Sequence, residues 1–219
     1  MKTFKQHITE REMFVKNWIQ KIEFGKFASV SDLHRYLSNK FLVEPVGTGN
    51  FSIAYSGQIA PQYVLKVTKP GMQQDAWSTY AKWIWKNKPD NSLFPRIRYL
   101  YEFRDGSLAT FIEYLEFKED WNIAYKLEEL FWHLYYLEIN DDSSAESKAK
   151  GRAIEAAKSL KIDFSKAEEF VHVLINIMDE ARTSFEYDSA EVDLDLHPGN
   201  IGYRKNGEIV ILDPIAVFK

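Results

Sequence analysis

The stretch DLHPGNIGYRKNGEIVILDP, residues 195–214, predicts a β-hairpin and contains the polar residues that most clearly indicate a function. Two apolar runs flank Asn206-Gly207, a dipeptide typical of two-residue hairpin turns of the primed type. In such a hairpin Lys205 faces Glu208, and the pairing continued to the open end places Asn200 opposite Asp213. Facing residues have Cβ atoms about 5 Å apart, so an amide and a carboxylate are expected to meet at the mouth of the hairpin.

Asn200 and Asp213 together form a predicted site for a divalent cation. Magnesium takes carboxylate, amide and phosphate oxygens as ligands. Asp195, on the loop before the hairpin, adds a second carboxylate, which could orient a hydroxyl nucleophile while the other holds the metal. A plainer interpretation stays open, in which Asn200 and Asp213 cap strand ends and Asp193 and Asp195 lie in a solvated turn.

Upstream of this stretch the chain is β-rich first and helical second. Alternating runs predict three strands over 41–46, 51–57 and 63–68 as a meander, a helix over Met72–Asn87, and two strands near Ile97–Phe103 and Leu108–Tyr114 joined at Asp105-Gly106. Apolar spacing predicts three helices, over 9–23, from Ser31 to about Asn39, and along Ile123 to Leu137. A capping box at Ser165 and Glu168 predicts the start of a fourth helix. The segment Asp141–Leu160 between the last two is predicted as loop and exposed helix. The order predicts an α+β protein of two lobes.

Two features of the predicted meander point to phosphate binding. The segment Gly47-Thr48-Gly49-Asn50-Phe51-Ser52 joins the first two strands, and its glycines would let backbone N–H groups approach a phosphate. Lys66, flanked by apolar residues in the third strand, suits a buried contact with phosphate oxygens. Each has a simpler explanation, a hairpin turn for the glycines and protection of an edge strand for the lysine.

The composition bounds the class of protein. The chain has 219 residues, 45% hydrophobic, no cysteine and a net charge of −4. The lack of cysteine excludes disulfides, cysteine-ligated zinc and a cysteine nucleophile. Scattered Lys and Arg residues argue against direct nucleic-acid binding, and the absence of a long apolar run argues against a membrane span. A cytoplasmic protein is therefore expected; the sequence contains no feature that sets an oligomeric state.

Taken in chain order, these motifs resemble the successive signatures of the protein-kinase-like superfamily. They are Gly47-x-Gly49, Lys66, Ile112-Glu113-Tyr114-Leu115, Asp195 with Asn200, and Asp213. More narrowly, GTGNFSIAYSG, DLHPGN and LDP resemble the early serine/threonine protein kinases of short-tailed lytic bacteriophages of the T-seven group.

The resemblance implies a bilobal kinase-like fold with ATP and Mg²⁺ as cofactors. The expected domains are an N-terminal helical preface (1–40), a β-rich N-lobe with one helix (41–115), and a helical C-lobe with the catalytic loop and terminal hairpin (116–219). Six residues follow Asp213, so a minimal C-lobe without an activation segment or later helices is expected.

The resemblance also implies a role for each candidate residue. Asp195 would be the catalytic base, Lys66 would hold the α- and β-phosphates, and Asn200 and Asp213 would bind magnesium. The nucleotide would further contact Val46, Val64 and Ile112 as apolar walls, the backbone of Glu113 and Leu115 at adenine, and Gly47, Gly49 and Ser52 at the phosphates.

Several positions depart from the kinase pattern. Ser52 replaces a third glycine, and Asp193-Leu194 and Pro214-Ile215 replace the usual neighbours of the catalytic and metal-binding acids. His197 stands where serine/threonine kinases carry a lysine; it either contacts phosphate or braces the loop. Asp75 is the one acid of the predicted helix that could pair with Lys66, and it lies opposite the apolar stripe, so this pairing stays open.

The function implied is an ATP- and magnesium-dependent serine/threonine protein kinase that phosphorylates host proteins, such as transcription or RNA-processing machinery. Two alternatives stay open. The motif DLHPGN is also similar to that of small-molecule kinases, which favours a small-molecule phosphotransferase. A non-catalytic kinase-fold module that sequesters a host factor is the third.

Overall fold

A computed structural model describes residues 22, 24–40, 43–49, 51–57, 62–70, 76–139, 143–184 and 191–218. The helices within these ranges are α1 (Val30–Lys40), α2 (Ala76–Asn87), α3 (Trp121–Ile139), α4 (Ser143–Leu160) and α5 (Phe164–Ser184). The strands are β1 (Val43–Thr48), β2 (Ser52–Gly57), β3 (Tyr63–Thr68), β4 (Ile97–Glu102), β5 (Leu108–Glu113), β6 (Glu116–Phe117), β7 (Glu191–Leu194), β8 (Ile201–Tyr203), β9 (Ile209–Ile211) and β10 (Ile215–Phe218). The helix predicted over 9–23 lies outside the described residues except for Ile22.

The predicted α+β class is confirmed, and the chain divides into two compact units. Unit 1 comprises residues 1–74 and 96–114, and unit 2 comprises residues 75–95 and 115–219. The strands of the main sheet belong to unit 1, and α2 to α5 belong to unit 2. The boundaries 1–40, 41–115 and 116–219 stay a prediction.

Unit 1 contains a five-stranded antiparallel sheet in the order β1-β2-β3-β5-β4. The three-strand meander and the second hairpin follow the alternation of the sequence, as predicted. At the Asp105-Gly106 turn, Gly106 has a φ of 83° and its N–H donates to the carbonyl of Phe103 at 3.0 Å. A residue without a Cβ adopts this left-handed conformation most readily, which explains the glycine.

Helix α1 is part of the core of unit 1. It begins at Val30, one residue before the predicted start, because the Ser29 hydroxyl accepts the Asp32 N–H at 3.3 Å. Its buried residues Val30, Leu33 and Leu37 pack in one cluster with one face of the sheet. Burial of such side chains contributes about 1.5–3 kcal/mol each, so α1 is a main support of the sheet.

Unit 2 contains three long helices. Leu127, Leu130 and Leu134 of α3 are buried, as the predicted stripe requires. The prediction for 141–160 was wrong in part, because 143–160 form one continuous helix whose small residues Ala153 and Ala157 are fully packed. None of the helices in the described ranges is long and apolar enough to cross a membrane.

Helix α5 begins earlier than predicted. The side chain of Asp163, rather than that of Ser165, accepts the N–H groups of Ser165 and Lys166, at 2.9 and 3.3 Å. The capping-box pattern therefore predicted the helix correctly but the N-cap residue wrongly. The N-cap is Asp163, because an ionised carboxylate is a strong acceptor for the free N–H groups at a helix N-terminus.

Helix α2 packs within unit 2, against α5 and β10. Its predicted stripe of Trp77, Tyr80, Ala81 and Ile84 is buried. The sequence assigned this helix to the β-rich domain, whereas its large aromatic side chains find their packing partners, among them Phe94, in unit 2. Asp75, the proposed partner of Lys66, lies outside the described residues.

We expect the stability of the protein to fall as the pH drops below the ordinary pKa of histidine, because of His34. Its Nε2 lies 3.1 Å from the Thr68 carbonyl and must donate to it, so its Nδ1 accepts from the Tyr55 hydroxyl at 2.6 Å. Burial lowers the pKa of His34 below 6.5, and the charge of Lys69 adds to this effect, while the Thr68 hydrogen bond opposes it.

The unfolded chain therefore takes up this proton first, and stability is lost as the pH falls from about 6.5 towards the lower folded pKa. Urea unfolding at a series of pH values tests this expectation. The loss should shrink in His34→Gln and persist in His133→Gln. An equal pH dependence in both variants would contradict it.

Candidate active site

The β8–β9 hairpin is confirmed, but its predicted register is wrong by one residue. Ile201 pairs with Ile211, and the Leu212 N–H donates to the Asn200 carbonyl at 2.8 Å. Asn200 therefore lies opposite Leu212 and not opposite Asp213. Their direct pairing across the ladder, as derived from the sequence, does not occur.

The turn explains the shift. The Arg204 N–H donates to the Glu208 carbonyl at 2.9 Å, and the Gly207 N–H donates to the Arg204 carbonyl at 2.8 Å. Gly207 has a φ of 84°. These contacts define a three-residue loop in which a turn is followed by a left-handed glycine, an arrangement that Asn206-Gly207 supports as well as the two-residue turn.

Asp195 nevertheless brings the loop and the hairpin end together. Its N–H donates to the carbonyl of Pro214 at 2.8 Å, which places Asp195 beside the residue that follows Asp213. The side-chain amide of Asn200 donates to the carbonyl of Asp195 at 2.8 Å and to its carboxylate at 3.0 Å. The two other predicted residues, Asn200 and Asp213, are therefore brought towards Asp195 by these bonds.

The orientation of the Asn200 side chain leaves an oxygen for a cation. Both of its hydrogen-bond partners on Asp195 are acceptors, so the NH₂ group must face them, and Oδ1 of the planar amide points the other way. Among the described residues, no group of three or more His, Asp or Glu side chains is arranged as a metal site. A magnesium ion here would use Asn200 Oδ1 and the Asp213 carboxylate, with the remaining ligands from phosphate and water, a hard oxygen set that fits the ion.

His197 braces the loop. Its Nδ1 accepts the Gly199 N–H at 3.0 Å, and its Nε2 lies 3.8 Å from the Asp195 carboxylate. A Cβ on Gly199 would lie 2.7 Å from Cε1 of the ring, so the close approach requires glycine. Of the two roles predicted for His197, the structure gives the bracing contact; phosphate binding stays a prediction.

The surroundings of Asp195 make its carboxylate a stronger base than that of a free aspartate. Burial raises the pKa of the Asp195 carboxyl above its ordinary value of 3.8, and the charge of Asp213 raises it further. A charge on His197 and the hydrogen bond from Asn200 act in the opposite direction. The influence of Asp213 on this pKa is consistent with both carboxyl groups sharing one region of unit 2.

The sequence did not identify the residues that hold β9. The Tyr80 hydroxyl of α2, fully buried, donates to the Ile211 carbonyl at 2.9 Å, and the Ile211 N–H donates to the Leu93 carbonyl at 2.8 Å. Burial raises the pKa of Tyr80 well above its usual value, and Asp213 adds to this effect. The strand before Asp213 is thus fixed by α2 and the loop after it. These contacts join residues far apart in the chain, and no sequence pattern predicts them.

The remaining candidates lie mainly in unit 1, on one face of its sheet. Tyr63, Leu65 and Val67 of β3 face the α1 side and join the apolar core, so Val64 and Lys66 face the other side. Lys66 is 7% exposed and pairs with Ala54 and Thr110; Val64 pairs with Ile112. Four buried polar side chains share this face: Ser52, Lys66, Thr68 and Thr110.

The glycine-rich segment forms a tight connection. The Gly49 N–H donates to the Ser52 carbonyl at 3.0 Å, and the Gly49 carbonyl accepts from Nζ of Lys69 at 2.6 Å. Val46 is 53% exposed at the bulge of β1 between Pro45 and Gly47. The Gly49 N–H is already used by Ser52, so it does not face a phosphate in this conformation.

Glu113 is the last residue of β5, and Leu115 follows it at the start of the next segment of unit 2. The Glu113 N–H donates to the Arg96 carbonyl at 3.1 Å, so an adenine contact at Glu113 would have to use its carbonyl. Leu115 is buried in unit 2, where a Cβ on Gly202 would lie 2.7 Å from the Leu115 side chain. The glycine in β8 is explained by this close approach.

Comparison with known proteins gives remote structural similarity. No protein-family model matches the sequence, and no curated protein shows significant similarity to it. Similar solved structures include the aminoglycoside phosphotransferase APH(2")-IIa in complex with streptomycin and ATP, with 15% identity, 87% of this chain and 71% of that chain covered, and a TM-score of 0.37.

Two further enzymes are similar. A thermostable mutant of APH(4)-Ia without ligand has 13% identity, 84% and 72% coverage, and a TM-score of 0.36. APH(2")-IIia in complex with GDP and kanamycin has 13% identity, 86% and 74% coverage, and a TM-score of 0.36. All three TM-scores are below 0.5, so the structural similarity is remote.

We expect Asn200→Ala to raise the pKa of Asp195, because the hydrogen bond from Asn200 lowers it. Asn200→Asp should raise it too, since it places a like charge beside the carboxylate. Carbon-detected NMR titration of the Asp195 carboxyl measures the shift directly. Asn176→Ala, which removes an exposed amide from α5, is the control and should leave it unchanged. An unchanged or lower pKa in both Asn200 variants would contradict the geometry of the loop.

Proposed function

We propose that the chain is an ATP- and magnesium-dependent phosphotransferase whose acceptor is a hydroxyl group, with serine or threonine of a host protein as the first candidate. The observation that carries the proposal is the clustering around Asp195. Its carboxylate accepts the Asn200 amide at 3.0 Å, its backbone bonds to Pro214, and its pKa responds to Asp213. One base and two oxygen ligands at one place are the parts that phosphoryl transfer requires.

The proton step falls to Asp195. With its side chain 40% exposed, the carboxylate is open to an incoming hydroxyl while the Asn200 hydrogen bond holds one oxygen in place. The acceptor oxygen forms a bond to the γ-phosphorus, its proton passes to Asp195, and the bond to the bridging oxygen breaks to release ADP. A base whose pKa lies above that of a free aspartate is better matched to this transfer at neutral pH.

Asn200 and Asp213 would hold magnesium, which neutralises phosphate charge when it is bound. Two contacts fix their backbone: the Leu212 N–H bonds to the Asn200 carbonyl, and Tyr80 bonds to the Ile211 carbonyl. These contacts restrict where the two side chains can lie, so little reorganisation is needed on binding.

The polar face of the unit 1 sheet suits the nucleotide. Val64 and Ile112 are paired and apolar, as an adenine pocket requires, and Lys66 on the same face supplies a cation for phosphate. A buried lysine on a strand between Ala54 and Thr110 is not an edge-strand lysine, because β3 is flanked by β2 and β5. This position removes the simpler explanation for Lys66.

A small-molecule acceptor is the second candidate. His197 braces the loop through Gly199, in the motif DLHPGN that also resembles small-molecule kinases. Both acceptors use the same base and the same nucleotide.

Labelled ATP with a host lysate separates the two acceptor classes. Label on protein bands supports the protein kinase, and label in low-mass material alone supports the small-molecule enzyme. In either case Asp195→Asn should lower turnover at least about 100-fold, the lower end of what a general base contributes. Lys66→Met should lower turnover and weaken ATP binding.

Asp90→Asn and Lys86→Met are matched controls, since both side chains are exposed and both lie outside the site. They should retain full activity. No transfer of label to any acceptor, together with no thermal shift on adding ATP and Mg²⁺, would overturn the proposal and leave the non-catalytic module as the better account.

A further inference from the structure

Unit 2 has a pocket that the phosphotransfer chemistry does not use. It is partly open to solvent and lies among α3, α5 and β7. Its floor is apolar, because Val171, Leu174, Ile175 and Met178 recur at helical spacing along one face of α5.

Two aromatic side chains form one corner of the pocket. The rings of Trp132 and Tyr135 on α3 meet at 87° with centroids 5.7 Å apart. Trp132 is 46% exposed, so an aromatic surface is open to a ligand. A cation that lies over the face of such a ring is attracted by the negative charge of that face.

The charges around the pocket leave one carboxylate for a ligand. Asp193 of β7 lines the pocket, and its carboxylate accepts the neighbouring Leu194 N–H at 2.7 Å. Within the described ranges no cation pairs with Asp193. Arg182 also lines the pocket, but its guanidinium bonds to Asp179 at 2.7 Å and to the Val192 carbonyl at 3.2 Å. Among the described residues that line the pocket, Asp193 is the only one with a carboxylate, and the Arg182 charge is already paired with Asp179.

We propose that this pocket binds an alkylammonium cation, a quaternary or protonated amine attached to a small apolar group. The charge would lie between Trp132, Tyr135 and Asp193, and the apolar part would contact α5. A neutral molecule of the same shape would gain only the apolar contacts. The proposal does not depend on the phosphotransferase activity, because no residue of the pocket belongs to the proposed base, metal or nucleotide sites.

The test compares two probes of equal shape and different charge. Choline and its uncharged isostere 3,3-dimethylbutan-1-ol are titrated into the full chain, with binding followed by ligand-observed NMR and by chemical shifts of the Trp132 indole. Choline should bind about tenfold more tightly than the alcohol, the range expected for a cation between aromatic faces and a carboxylate. Equal binding of the two probes, or no binding of choline, would overturn the proposal.

Two variants locate the site. Asp193→Asn should weaken choline binding severalfold and leave the alcohol unaffected, and Trp132→Leu should weaken choline binding at least as much. Asp90→Asn and Trp121→Leu are the matched controls, the latter removing another exposed aromatic side chain of α3 that does not line the pocket. Since all four positions are exposed, each variant should fold. Choline binding that is unchanged in Asp193→Asn and Trp132→Leu, or reduced as much in the controls, would overturn the assignment.

Discussion

The candidate active site depends on the bond between the Asn200 side chain and Asp195. The amide donates to the backbone carbonyl and to the carboxylate of the same residue, so it closes the six-residue loop and fixes the base at once. Because the NH₂ group is held there, the amide oxygen is directed away and becomes available to a cation. The backbone bond from Asp195 to Pro214 then sets the loop beside Asp213. Removal of the amide would leave the base and the ligand oxygens without a common support.

Residues of α2 and of the loop after it hold the hairpin that precedes Asp213. Tyr80 and Leu93 bond to the two backbone groups of Ile211, and Arg204 donates to the carbonyls of Ser92 and Phe94 at 2.6 and 3.0 Å. These hydrogen bonds connect α2 and the loop after it to the hairpin. In unit 1, the α1 side of the sheet takes the apolar side chains, which leaves the polar ones on the opposite face. In the unit 1 sheet, the apolar packing contacts and the buried polar side chains therefore lie on opposite faces.

The sequence predicted much of the fold because local patterns decide it. The five strands of the main sheet follow alternating runs bounded by glycine and proline, and the stripes of α2, α3 and α5 follow helical spacing. The hairpin register was missed because Asn206-Gly207 fits two turn lengths, and the choice depends on contacts such as Tyr80 with Ile211. Helix α4 was only partly predicted because its polar composition masked the spacing of Ala149, Ala153 and Ala157. The pairing of β7 with β10 and the bond from Asn200 to Asp195 depend on tertiary geometry.

The central claim is that Asn200 and Asp213 offer oxygens to one cation beside Asp195. Titration of Mn²⁺ in the presence of ATP into isotope-labelled protein tests this claim, since the ion broadens NMR signals of nuclei close to it. The account predicts that the Asn200 side-chain amide and the backbone amides of Asp195 and Asp213 broaden first, and that Asp213→Asn abolishes this pattern. Broadening centred on other acidic residues, or the same pattern in Asp213→Asn, would contradict it.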